Sequence, residues 1–212
     1  MPKISAASSS PHDNQGVTVF FDVDTQLDFL YPAGALSVPG AEKIVPALAR
    51  LTRFAADNRI QIVSTADAHS ENDPEFKAWK PHCVVGTVGQ QRAAATLLSQ
   101  PAVITSTPGA RVADATQIIV EKQNVDCFTN PNLRPLLDRL GATRYLVYGV
   151  VSEVCVRYAA FGLLETGARV EIITDAIKAI DDGKERETVE RFQSQGGRLT
   201  TVDRALATAL LP

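Results

Sequence analysis

The sequence predicts an α/β fold in three layers, α/β/α, with helices on both faces of a mostly parallel central sheet. Two patterns predict it. Short runs of Val, Ile, Leu and aromatic residues, too continuously apolar to leave one face in water, alternate with longer segments whose apolar residues recur at helical spacing. Reactive or charged residues then stand just past the ends of these runs: Asp24, Asp67, Lys122 and Cys155. The carboxyl edge of a parallel sheet is where open α/β folds place their ligands, so four reactive groups share one rim.

Taken in order, residues 17–23 (VTVFFDV) form a first strand ending at Asp24. A loop from Asp28 to Gly40 carries Pro32, Gly34 and Pro39. Residues 41–58 follow as a helix, with Ile44, Leu48, Leu51 and Ala55 on one face. Residues 60–65 (IQIVST) are a second strand running into Asp67 and His69. The segment Ser70 to Gln90 is polar and rich in Pro and Gly, and loops of this length inside a compact domain tend to be functional. A short helix is expected at 93–98, a strand at 117–121 ending at Lys122, and a helix at 132–140. The run Tyr145-Leu146-Val147-Tyr148 leads through Gly149 to Cys155, and a helix over 156–165 closes at Gly167. A strand at 170–174, a helix at 183–195, a short strand at 198–202 and a final Ala/Leu helix complete the chain.

Bulk properties narrow the function classes. Over 212 residues the net charge is −3, with Lys and Arg scattered among Asp and Glu, which argues against a nucleic-acid or anionic-membrane partner. Three cysteines with no CxxC spacing suggest neither a disulfide framework nor a zinc finger and fit a reducing cytosol. No apolar run has the length of a membrane span. Residues 1–16, rich in Ser and Ala, are expected to be a flexible tail, and 17–212 one domain.

The chemistry centres on Cys155. Ser152 stands three residues ahead as a candidate N-cap, so Cys155 falls in the first turn of a helix, where free N–H groups and the helix dipole stabilise a thiolate. Lys122 on the same rim favours that charge, and Asp24 is placed to accept the thiol proton and pass it to a leaving amine. Read singly, Cys155 is also a small buried residue, Lys122 a solvated strand end and Asp24 a turn carboxylate. The second constellation is Asp67, His69, Glu75 and His82, which holds two of the chain's three histidines. Two imidazoles with one or two carboxylates suit zinc, iron or manganese; the alternative is a pair of surface histidines capping turns.

These residues carry a resemblance. Asp24-Thr25-Gln26-Leu27-Asp28-Phe29 with residues 34–40 (GALSVPG) resembles the opening signature of the isochorismatase-like cysteine hydrolases, which share a Rossmann-like α/β fold. Asp67-x-His69 with residues 79–89 (WKPHCVVGTVG) resembles the nicotinamidase branch in particular, and residues 149–156 (GVVSEVCV) are similar to the nucleophile turn of the superfamily. The likeness runs from about Val17 to Thr201, and it rests on four motifs in the family's order.

The resemblance implies a catalytic triad of Asp24, Lys122 and Cys155 and metal ligands Asp67, His69 and His82, with Glu75 at a position that supplies a further ligand in some relatives. It implies a cis peptide bond at Val150-Val151 that turns the N–H of Val151 toward that of Cys155, forming an oxyanion hole. Phe29 and Trp79 match aromatic walls around a flat pyridine ring. Val125 stands where a Tyr is common, so one substrate wall differs. Lys80 adds a positive charge near the mouth. Glu153 opposes a thiolate and is expected to point outward, and Cys83 and Cys127 are read as packing residues. The activity implied is a metal-assisted amidohydrolase acting on nicotinamide, on another small amide of the carbamoyl or maleamate kind, or, with catalysis lost, a binding module. The implied partner is a small amide substrate, with homo-oligomers common among relatives.

Overall fold

A seven-stranded sheet organises the computed structural model, which describes residues 16–111 and 113–211. The tail expected over residues 1–16 therefore falls, as far as residue 15, outside the described residues. Strand β1 (Thr18–Val23) leads into the one-turn helix α1 (Leu27–Leu30) and then into α2 (Val45–Asp57). Strand β2 (Gln61–Asp67) is followed by β3 (Ala102–Ile104) and β4 (Gln117–Lys122). Helix α3 (Leu133–Leu140), β5 (Arg144–Val150) and α4 (Arg157–Leu164) come next. The chain closes through β6 (Arg169–Lys178), α5 (Asp182–Ser194), β7 (Arg198–Thr200) and α6 (Val202–Thr208). The strand order is β3-β4-β2-β1-β5-β6-β7, and every pairing is parallel.

Burial on both faces explains the continuously apolar strands. On β1, Val19, Phe21 and Val23 face one core with Leu133, Leu136 and Leu137 of α3 and Ala159, Ala160 and Leu163 of α4. Phe20, one residue out of phase, faces the other core with Leu48, Leu51 and Ala55 of α2 and Val202 and Ala205 of α6. On α2 the buried positions Leu48, Leu51, Thr52 and Ala55 keep the helical spacing that predicted it. Helix α3 stops at Gly141, whose φ of 58° is the left-handed conformation a C-terminal glycine supplies.

Several elements differ from expectation. The loop after Asp28 begins inside α1. The short helix at 93–98 contracts to a 3₁₀ turn, Ala94–Thr96, and the edge strand β3 is too short to have shown a period in sequence. Ser152 does not cap a helix: the segment Ser152–Val156 is a wide π-type turn that runs into α4, and the buried Ser152 Oγ has no hydrogen-bond partner. Among the described residues no helix is long and apolar enough to cross a membrane.

The topology sets the site. The chain leaves β1 for β2 and β4 on one side of the sheet and returns to β5 on the other, so β1 and β5 flank a topological switch point. The register pairs Val23 with Gly149, and the two backbones approach closely there. Gly149 has φ of 117°, and a Cβ on it would lie 2.1 Å from the Val23 carbonyl oxygen. Gly149→Ala is expected to lower stability in chemical denaturation by at least about 2 kcal/mol, since backbone must move as well as strain. Gly167→Ala, at φ of 79° with nothing within 4 Å, is the control and should show only the cost of the left-handed conformation, roughly 1–2 kcal/mol.

Candidate active site

Asp24, Lys122 and Cys155 come from three strand ends and meet. Asp24 follows β1 with φ of 48° and is buried. Thr65 Oγ1, from β2, donates to Asp24 Oδ1 at 2.6 Å. Lys122 ends β4, in register with Asp67 at the end of β2. Its ammonium lies 3.0 Å from Asp24 Oδ2 and 3.6 Å from Cys155 Sγ, and it also pairs with Asp67 Oδ1. Cys155 sits in the turn after β5, and the Val150-Val151 bond ahead of it is cis.

The electrostatics follow from burial and from this one ammonium. Burial works against the charged form of Lys122, yet Asp24 and Asp67 together raise its pKa well above the ordinary lysine value. Burial raises the Asp24 pKa, and Lys122 only partly offsets it. Burial also acts on Asp67, but there the Lys122 ammonium prevails and holds the carboxyl well below its usual range. Burial pushes the Cys155 thiol well above the ordinary value, with Lys122 opposing. Burial thus favours the proton on both the Cys155 thiol and the Asp24 carboxyl, and Lys122 opposes it at both. The turn that bears Cys155 is of the π type rather than the first turn of an α-helix.

Beside this group, donor atoms of Asp67, His69 and His82 lie within 4.8 Å of one another, all on buried residues. Neither histidine caps a surface turn. His82 Nδ1 lies 2.6 Å from the Lys80 carbonyl oxygen, which only accepts, so Nδ1 carries a proton, and Nε2 faces Asp67 Oδ2 at 3.5 Å. His69 is placed similarly: Nδ1 is 3.2 Å from Asp73 Oδ2, Nε2 is 3.8 Å from Asp67 Oδ2, and neither nitrogen makes a hydrogen bond. Two imidazole nitrogens converging on one carboxylate, each ring backed by a carboxylate or carbonyl, make a donor set that fits a divalent cation. Glu75 stands in an adjoining group with His69 and Asp73, and its Oε2 is buried without a partner.

A pocket opens over both constellations. Asp67, Glu75, His82, Val151 and Cys155 line it, with the aromatic rings of Phe29 and Trp79. Leu36, Val125, Val154 and Ile180 complete an apolar lining, which among the described residues includes no Lys or Arg.

Other residues that the sequence reading gave no role support the site. The Gln26 amide donates to the Asp67 carbonyl at 2.8 Å and accepts from the Asp67 N–H at 2.7 Å. Asp28 accepts from the N–H groups of Ala35 and Cys83, at 2.8 and 2.7 Å, tying the loop after α1 to the segment after His82. Arg92 donates to the Thr65 carbonyl at 2.7 Å and pairs with buried Asp22 behind Asp24. Gln26 and Asp28 lie within the Asp24-to-Phe29 motif, a signal that pointed to them; Thr65, Arg92 and Ile180 carry none in sequence. Cys83 and Cys127 are buried, and burial raises both thiols far above the ordinary value.

Known proteins share this arrangement of chain. Residues 18–204 match the Isochorismatase domain family. A nicotinamidase of Acinetobacter baylyi is 28% identical over 180 residues, which is 75% of this chain and 80% of that protein. The structure of a pyrazinamidase of Pyrococcus horikoshii in complex with zinc is similar, with a TM-score of 0.73 and 28% identity, over 87% of this chain and 99% of that one. That of PnC1 from L. infantum in complex with nicotinate gives 0.72 and 26% identity, over 90% and 95% of the two chains. With a match that spans all seven strands and the turn bearing Cys155, this chain belongs to the isochorismatase domain family.

Proposed function

We propose that this chain is a metal-assisted cysteine amidohydrolase and that its substrate is nicotinamide, cleaved to nicotinate and ammonia. The observation that carries this reading is the junction at Lys122, whose ammonium touches Asp24, Cys155 and Asp67 at one end of the pocket. Asp24 takes the proton from Cys155 Sγ as sulfur attacks the carboxamide carbon, and Lys122 keeps the added negative charge balanced. The N–H groups of Val151 and Cys155 hold the oxyanion. Asp24 returns the proton to nitrogen as the C–N bond breaks and ammonia leaves. It then takes a proton from water, whose oxygen attacks the thioester carbon; the C–S bond breaks and the proton returns to sulfur. Asp67, His69 and His82, with Glu75 beside them, would hold the divalent ion, zinc, iron or manganese, which when bound supplies a Lewis acid toward a ring nitrogen.

The pocket lining supports a flat, largely apolar substrate: Phe29, Trp79, Leu36, Val125, Val154 and Ile180 line it together with Asp67, Glu75 and His82. Val125 favours a second reading within the same chemistry, another small amide of the carbamoyl or maleamate kind. The unpaired cysteines fit a reducing compartment, and we read residues 17–212 as one hydrolase domain.

Cys155→Ala is expected to reduce ammonia release from nicotinamide by at least about 10⁴-fold with circular dichroism and metal content unchanged; normal turnover by this variant would remove Cys155 from the chemistry. Chelation, or His82→Ala, should abolish both bound metal and release, and re-addition of zinc should restore the chelated protein only. Burial raises Asp24, so the acid limb of kcat/KM lies above the ordinary carboxylate value of about 3.9, activity falling as pH drops through it and Asp24 becomes protonated. Lys122→Met removes the cation that lowers Asp24. That limb should move to higher pH, and stability to denaturant should fall by about 3–5 kcal/mol because two buried carboxylates lose their partner.

A further inference from the structure

Glu153 stands two residues before Cys155 on the same turn. Its side chain neither faces the sulfur nor ends in open solvent. It reaches the loop between β6 and α5, where Oε1 accepts from the N–H of Ile180 at 3.1 Å and of Asp181 at 2.9 Å. That loop is short: β6 ends at Lys178, and Asp181 already caps α5 by accepting from Gly183 and Lys184. Between them Ile180 forms part of the pocket wall with Val154, yet it is 47% exposed, so side-chain packing alone holds it weakly. Its position is set by its backbone, and the Glu153 carboxylate grips that backbone through the N–H groups on either side of the Ile180 Cα.

We propose that Glu153 is a positioning residue: it straps the Ile180 wall to the nucleophile turn, fixes the width of the slot above Cys155, and so sets affinity and selectivity for a flat neutral amide. The inference rests on the amidohydrolase reading for its kinetic consequence but not for the strap itself. Only Oε1 makes the two bonds, while Oε2 is buried without a partner. Reach therefore matters and charge does not. Glu153→Gln keeps the reach and an accepting oxygen, Glu153→Asp keeps the charge and loses about one carbon–carbon bond of reach, and Glu153→Ala loses both.

The experiment is amide hydrogen exchange at Ile180 and Asp181 in the full-length, metal-reconstituted chain, beside nicotinamide kinetics, for all three variants and Ile180→Ala. Exchange at both amides should quicken by about tenfold or more in Glu153→Ala and Glu153→Asp and stay near wild type in Glu153→Gln, because two hydrogen bonds are lost or kept. KM should rise roughly five- to tenfold in the first two with kcat changed less than about threefold, and Ile180→Ala should raise KM without altering exchange at Asp181. Unchanged exchange in Glu153→Ala, or Glu153→Asp matching wild type while Glu153→Gln matches Glu153→Ala, would overturn the strap. The expected exchange pattern in a protein that releases no ammonia from nicotinamide leaves the strap standing and defeats the substrate reading.

Discussion

Everything at the carboxyl edge of the sheet depends on one buried ammonium. Among the described residues, Lys122 Nζ is the one ammonium placed among Asp24, Asp67 and the Cys155 thiol, and removing it would leave two buried carboxylates without their partner. Its charge holds the Asp67 carboxyl low despite burial, while at Asp24 burial prevails over it and raises the carboxyl. The surroundings thereby push the two carboxylates in opposite directions.

Asp67 joins the two halves of the site. Oδ1 belongs to Lys122, and Oδ2 faces the Nε2 atoms of His69 and His82. The Lys122 cluster and the histidine cluster therefore share one side chain, whose backbone Gln26 clamps from both the N–H and the carbonyl. The motif that opens with Asp24 thus acts as scaffold, with Asp28 holding the segment that follows His82.

The turn bearing Cys155 is tied in the same way on its outer side. Its Glu153 fastens the loop before α5, which brings Ile180 to the pocket. The pocket lining thus combines aliphatic and aromatic side chains with the donor groups of Asp67, Glu75 and His82.

The sequence by itself determined the layers and the rim. Strands buried on both faces must be apolar throughout, helices must show one apolar face, and the residues just past parallel strands must lie on one edge; Asp24, Asp67, Lys122 and Cys155 follow from that alone. Local pattern could not supply β3, too short for a period, nor the π-type turn, where Ser152 looked like a cap but is buried with its hydroxyl unpartnered. Only the tertiary structure decided the desolvation, because it depends on what covers a group, and burial raises the Cys155 thiol where a helix terminus was expected to lower it. It alone also brought Ile180, Thr65 and Arg92 to the site, since contacts between residues far apart in the chain leave no spacing to read.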